Sequence, residues 1–334
     1  MLKLGYKASA EQFAPTKLLD FSIEAEKVEL DSVFVSDHFQ PWKHVDGHAP
    51  SSLVWLGALA ARTSSLVMGT SVLTPTFRYH PSIVAQAFGT LGSMFPGRVV
   101  LGIGTGEGLN EVPSTGQPWP EFKERYARMR ESVTLMRRLW SEDRLTFEGQ
   151  YYRTENATIY DKPEQMVPIY VAAAGAMVAK YAGRMCDGFI CTSGKAWKLY
   201  TETLLPNVEE GLQLSSKKKP NYDRMIEMKV SFDTDKDRAL QDTRHWAALA
   251  LTPEEKMSVE DPVEMQRLAD ALPLERAASR WIVSNDPQEV VDKVEPYVKM
   301  GFRHLVFHAP GPDQSRFLKL FGEQVAPALR KKFG

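Results

Sequence analysis

Val99-Val100-Leu101-Gly102-Ile103-Gly104-Thr105-Gly106-Glu107-Gly108-Leu109-Asn110 is an aliphatic run that ends in a glycine-rich turn. A buried strand followed by such a turn begins a dinucleotide-binding fingerprint, in which glycines admit a pyrophosphate to the backbone and a helix N-terminus receives it. The next residues, Val112-Pro113-Ser114-Thr115-Gly116-Gln117-Pro118, are broken by proline and glycine and are not expected to open a helix directly. Without that helix the dinucleotide reading fails, and the turn becomes one strand end among several in a different α/β fold.

Outward from this stretch, short β-branched runs alternate with longer segments of helical period. Strands are expected at 3–7, 32–36, 66–73, 99–103, 169–173, 188–192, 229–232 and 305–308, and helices at 15–28, 52–62, 81–94, 121–140, 176–186, 287–299 and 315–332. In the fourth helix Phe122, Tyr126, Met129, Val133, Met136 and Trp140 recur at three- and four-residue steps, an apolar stripe meant for a sheet. Eight strands suit a closed (β/α)8, or TIM, barrel, and a doubly wound sheet is the alternative. The whole chain, 1–334, reads as one such barrel domain with insertions near 107–120, 141–165 and 233–280, the last without a clear strand. Lys217-Lys218-Lys219-Pro220 reads as a solvated loop.

The 334 residues carry 41 Lys+Arg against 42 Asp+Glu, a formal net charge of -1. No like-charge block offers a face to nucleic acid, and no apolar run reaches the ~20 residues that cross a bilayer, so neither nucleic acid nor a membrane is expected as partner. The N-terminus lacks the apolar core of a secretory signal, and Cys186 and Cys191 read as buried thiols in a reducing compartment, which together point to the cytoplasm.

In a barrel, polar residues just after strands lie on the catalytic rim. Asp37-His38 ends one strand, with Trp42 close behind; His38 suits removal of a hydroxyl proton, or the pair merely turns the chain. His44, Asp46 and His48 fit no metal-site spacing, so no metal is expected. Ser71-Val72-Leu73-Thr74-Pro75 is where a bulge or a cis bond would push backbone against a ligand. The glycines of 104–108 would let a flat ring approach, leaving Glu107 to meet a ring nitrogen or hydroxyl. Ala172-Ala173-Ala174-Gly175 runs into a helix whose free N–H groups suit a phosphate. Lys195, Lys256 and Arg280, if they converge, make a dianion receptor.

These residues together, Ser36-Asp37-His38-Phe39-Gln40-Pro41-Trp42, Gly47-His48-Ala49-Pro50, the 104–110 loop and Cys191-Thr192-Ser193-Gly194-Lys195, resemble the F420-dependent glucose-6-phosphate dehydrogenases of the bacterial luciferase-like superfamily, across essentially the whole chain. The resemblance implies a TIM barrel with insertions, a homodimer, coenzyme F420 with its deazaflavin in the barrel mouth, and oxidation of glucose 6-phosphate at C1 to 6-phosphogluconolactone. By position Asp37, Ser71, Val72, Thr74, Thr105, Gly106, Asn110, Ala174, Gly175, Met177 and Val178 would line the coenzyme, and Thr192, Lys195, Lys256 and Arg280 would hold the sugar phosphate. His38 is then the base, Glu107 the acid and Trp42 an aid to orientation or charge, with the reverse assignment of His38 and Glu107 open. Two departures stand out: Ala174 where the family has glycine, and Met257 where a polar residue is expected. An F420-dependent dehydrogenase of another alcohol, an FMN-dependent monooxygenase and a non-catalytic flavin-binding protein are the competing readings.

Overall fold

The computed structural model describes residues 1–256 and 259–334; Met257 therefore lies outside the described residues. Eight parallel strands close on themselves in the order β1 (Lys3–Ala8), β2 (Ser32–Val35), β3 (Val67–Thr70), β4 (Val99–Ile103), β7 (Ile169–Ala172), β8 (Gly188–Thr192), β9 (Asp223–Phe232) and β11 (His304–His308), with β11 returning to β1. This is the TIM barrel, and closure excludes the doubly wound sheet. Outside it stand an antiparallel hairpin, β5 (Leu145–Glu148) with β6 (Arg153–Ala157), and β10 (Ile282–Ser284), which pairs with the C-terminal end of β9. The helices that return the chain include α1 (Pro15–Lys27), α2 (Ser52–Arg62), α3 (Pro81–Met94), α4 (Gly108–Thr115), α5 (Phe122–Ser141) and α6 (Ala176–Met185).

The barrel interior is layered, as inward positions two apart along each strand require. At the N-terminal end, the Asp223 carboxylate accepts from Lys3 (2.8 Å), Tyr170 (3.0 Å) and His304 (2.9 Å), and His304 meets Ser32 at 2.7 Å, tying five strands together. Above lies an apolar layer of Phe34, Val100, Tyr170, Ile190, Met225 and Val306. The layer that opens to the C-terminal mouth is polar, and it is the floor of the site. The larger apolar core lies between barrel and helices.

Several expectations change. A helix does open at Gly108, immediately after the glycine-rich turn. Pro113 deprives it of one hydrogen bond to the Leu109 carbonyl, and the Gln40 side-chain amide, oriented nitrogen inward, supplies a substitute at 3.1 Å. The dinucleotide reading is thus excluded by sheet closure rather than by a missing helix. Residues 199–213 form an unforeseen helix whose first part takes the wider π spacing just ahead of Pro206. Lys219 is not merely solvated: its ammonium donates to the carbonyls of Gly183 (2.8 Å), Arg184 (3.0 Å) and Cys186 (2.7 Å), capping the end of α6. In α5 the stripe is buried from Met129 to Trp140, where Trp140 donates to the Ala85 carbonyl of α3 (2.8 Å), so it packs on a helix as well as toward the sheet; Phe122 leaves the stripe and turns exposed to the barrel mouth.

Gly102 marks where strand packing is tightest, since a Cβ there would collide with the Thr70 carbonyl oxygen of β3. Gly102→Ala is expected to destabilise by about 1–3 kcal/mol. Gly57→Ala, in α2 with open space around it, is expected to stabilise by up to about 1 kcal/mol. Thermal melts of both variants check the contrast.

Candidate active site

A cavity of about 710 Å³ opens at the C-terminal mouth of the barrel. It gathers every catalytic, coenzyme and phosphate candidate read from the sequence except Met177, whose side chain is exposed and lies in a neighbouring groove between α5 and α6.

The end of β2 carries His38 inward. Its Nε2 lies 3.3 Å from Glu11 Oε1 and its Nδ1 3.3 Å from the Gln40 carbonyl. Both ring nitrogens face acceptors, so the ring that has taken up a proton is the one able to donate to both. Burial pushes the Glu11 carboxyl up, but His38, Lys7 and a 2.5 Å hydrogen bond from Ser36 outweigh it and leave Glu11 below the ordinary carboxylate value. Asp37 borders the cavity, yet its carboxylate is taken by Arg78 (2.5 Å), Ser52 (2.6 Å) and Tyr79 (3.3 Å), and its carbonyl accepts from Arg78 as well (2.9 Å), so the side chain is not open to a ligand. Asn110 locks two loops together: its carbonyl oxygen accepts from the Phe39 (2.8 Å) and Gln40 (3.1 Å) amides, and its amide reaches Glu107 at 3.5 Å. Glu107 itself is exposed at the rim. Trp42 lines the cavity with its indole N–H buried and without a partner among the described residues, while the Lys256 ammonium lies 4.8 Å from its ring centre.

Opposite His38 lies a cationic pole. Gly194, at φ +71°, turns the chain after β8 where a side chain would strike the Arg280 backbone, and this brings Lys195 beside Arg280. The Arg280 guanidinium is held by the Leu249 (3.1 Å) and Ser193 (3.0 Å) carbonyls, with Nε buried and unpartnered among the described residues; the Thr192 hydroxyl is equally orphaned. Burial, then Lys195 and Arg280, push Lys256 down to about 8, and burial with Arg280 and Lys229 also lowers Lys195. Three crowded cations with unused donors describe a receptor for a dianion.

Between these poles one wall is made of small residues. Ser71-Val72, Thr74, Gly104, Thr105, Gly106 and 172–175 line it, and the Ser71–Val72 peptide is cis. Gly106, at φ +88°, would push a Cβ into Thr74 and Trp119, whereas Gly175 has open space before it. Val178 lines the same wall at the start of α6. Sequence reasoning missed the charged residues of the other wall, Lys7, Glu11, Glu227, Lys229 and His308. Their signal was the two-residue spacing of Glu227 and Lys229 in a strand that begins at Asp223, earlier than its apolar half suggests. Cys191 also lines the cavity, but burial and then Glu227 raise its thiol well above the ordinary value. No group of metal-binding side chains occurs among the described residues.

A closed parallel barrel with an inward histidine, a small-residue wall and a cationic pole at its C-terminal mouth defines a TIM-barrel enzyme. The chain belongs to the luciferase-like monooxygenase family, whose model matches residues 2–304. It is 62% identical over 333 residues, 100% of this chain and 98% of the relative, to an F420-dependent glucose-6-phosphate dehydrogenase of Nakamurella multipartita. It is 60% identical to the protein of that name from Mycolicibacterium smegmatis, covering 99% of this chain and 98% of the relative. Among solved structures, an F420-dependent secondary alcohol dehydrogenase in complex with an F420-acetone adduct superposes with a TM-score of 0.92 at 34% identity, covering 98% of this chain and 99% of that one.

Proposed function

We propose that the protein oxidises glucose 6-phosphate at C1 to 6-phosphogluconolactone, with coenzyme F420 as hydride acceptor. One observation carries this reading: a single cavity holds an imidazole base at one end and a three-cation receptor at the other, as an alcohol that is also a phosphate monoester demands. The full-length relatives named for this activity support it.

The small-residue wall fits a flat deazaflavin, because Ser71, Gly104, Thr105, Gly106 and 172–175 border the cavity with short side chains or none. Ser71, Val72, Thr74, Thr105, Gly106 and Asn110, with Asp37 through its backbone, would hold the ring end, and Ala174, Gly175 and Val178, with Met177 through its backbone at the α6 N-terminus, the phosphate end. When bound, F420 supplies C5 of its deazaflavin as the hydride acceptor. His38 removes the C1 hydroxyl proton, and Glu11 and the Gln40 carbonyl accept hydrogen bonds from the ring so charged. Glu107, which the Asn110 amide reaches at 3.5 Å, would be the acid that supplies the proton taken up at N1 of the deazaflavin as the hydride arrives. The Trp42 indole N–H orients the sugar at C1, and Thr192, Lys195, Lys256 and Arg280 hold the phosphate. The whole chain acts as one catalytic unit with insertions near 107–120, 141–165 and 233–280, of which the first and last contribute to the cavity lining. We read the protein as a cytoplasmic homodimer; among the described residues no helix is long and apolar enough to cross a membrane.

Anaerobic mixing of protein, F420 and glucose 6-phosphate is expected to bleach the deazaflavin absorbance and fluorescence, while glucose, isopropanol or FMN in place of its counterpart gives no turnover. Turnover of isopropanol but not of glucose 6-phosphate would replace the substrate, and turnover with FMN and oxygen would replace the coenzyme.

A further inference from the structure

From the base on β2 to the cationic pole after β8, the barrel can be followed along two arcs. One passes β3, β4 and β7 and is the small-residue wall. The other passes β1, β11 and β9 and presents Lys7, His308, Glu227 and Lys229 to the cavity. Glu227 and Lys229 share a face of β9, and His308 is the direct register partner of Lys229 where β11 pairs with β9. Lys229 donates to Glu227 Oε1 at 2.7 Å, and Lys7 lies 3.4 Å from Glu227 Oε2. Burial alone would raise Glu227, but Lys229 and Lys7 overcome it and hold the carboxylate ionised. An apolar layer of equal size would be the cheaper way to fill a barrel, so this charged arc is not explained by stability.

His308 is the telling member. Its side chain is 2% exposed, wedged edge-on between Trp246 (4.6 Å between ring centres) and Trp281 (5.0 Å). Neither ring nitrogen has a hydrogen-bond partner among the described residues; Nδ1 is 3.4 Å from Glu227 Oε1 but out of line with it. Burial pushes its pKa down to about 4 against the pull of Glu227, so the ring is neutral and offers one donor and one acceptor.

We propose that His308, together with Glu227 and Lys229, reads the sugar hydroxyls carried between C1 and C6, so that this arc selects which hexose 6-phosphate is oxidised. The inference rests on the function proposed above. A sugar with C1 at His38 and its phosphate at Lys195, Lys256 and Arg280 spans from β2 to β8, and the carbons between those ends carry the hydroxyls at C2, C3 and C4. A carboxylate that accepts, an ammonium that donates and an imidazole that does both match groups that themselves donate and accept. A site built this way rejects an analogue lacking the hydroxyl, because its own polar groups are then left unpaired.

The test compares kcat/KM for glucose 6-phosphate and its 2-deoxy, 3-deoxy and 4-deoxy analogues in the wild type and in His308→Phe, whose phenyl ring fills the slot between the two indoles. The wild type is expected to disfavour at least one deoxy sugar by about 100-fold or more. In His308→Phe glucose 6-phosphate should lose roughly 10- to 100-fold while that deoxy sugar loses little, so the discrimination collapses, and F420 affinity by fluorescence titration stays unchanged. His308→Gln, which keeps a donor and an acceptor, should recover part of it. Equal losses on all four sugars, or no loss on any, would overturn the inference. If His308→Phe does not fold, Lys229→Met is put to the same comparison with the same outcomes. A wild type that bleaches F420 with no hexose 6-phosphate would instead overturn the proposed function, and this inference with it.

Discussion

Arg280→Ala is expected to raise KM for glucose 6-phosphate by roughly 10- to 150-fold, the equivalent of about 1.5–3 kcal/mol for a hydrogen bond to a charged group, with the F420 dissociation constant unmoved. The guanidinium is already fixed by the Leu249 and Ser193 carbonyls, so its remaining donors are pre-aimed and little is lost in ordering them on binding. Lys256→Ala acts on the same phosphate but with a pH signature of its own. Burial, Lys195 and Arg280 have pushed Lys256 down to about 8, so in the free enzyme it loses its proton as pH rises through that value. The dianion binds the protonated form more tightly, so kcat/KM falls as pH rises through 8 and levels off near the value of Lys256→Ala. At the other end the substrate phosphate gains a proton below its own pKa of about 6, which lowers binding there too. In Lys256→Ala the alkaline limb attributed to this residue should disappear. Initial rates with saturating F420 from pH 5 to 10 check both effects, and an alkaline limb that survives the substitution would place the titrating group elsewhere.

All eight barrel strands were legible because their inner and outer positions are both apolar over most of their length, which leaves continuous β-branched runs. The same property hid the polar floor. Lys7, Glu227, Lys229 and His308 are single charged or polar residues set into such runs, and only closure of the barrel turns their side chains toward one another. Before closure Glu227 looks like the polar end of a loop, and the strand seems to begin at Lys229. The helix at Gly108 was misjudged for a local reason: Pro113 does cost a hydrogen bond, but Gln40, far away in sequence, replaces it. His38, Glu107, Lys195 and Arg280 were readable as polar residues at strand ends, and the fold brings them to one cavity. The carboxylate of Asp37 was not, since its capture by Arg78 depends on a partner 41 residues away.

His38→Ala is expected to lower kcat by about 10²–10⁴, the usual worth of a positioned general base, while KM for the sugar phosphate changes little because the phosphate is held at the opposite pole. Glu11→Gln separates the base from its support: the amide still offers His38 an oxygen at the same place but removes the charge beside the protonated ring, a loss of about tenfold. Single-turnover bleaching of F420 measures both, free of product release. Should His38→Ala keep its rate while Glu107→Gln loses it, the two roles are reversed. A purely structural role for His38 is excluded by a further arm of the experiment. Alanine leaves a space beside Glu11 and the Gln40 carbonyl large enough for the missing ring, and imidazole added to the solution can occupy it. A base that acts by accepting a proton is replaceable in this way, and the rate should rise with the concentration of neutral imidazole. A side chain that only shapes the wall would be replaced in volume by the imidazolium cation as well, so a recovery that tracks total imidazole rather than its neutral form would count against His38 as the base.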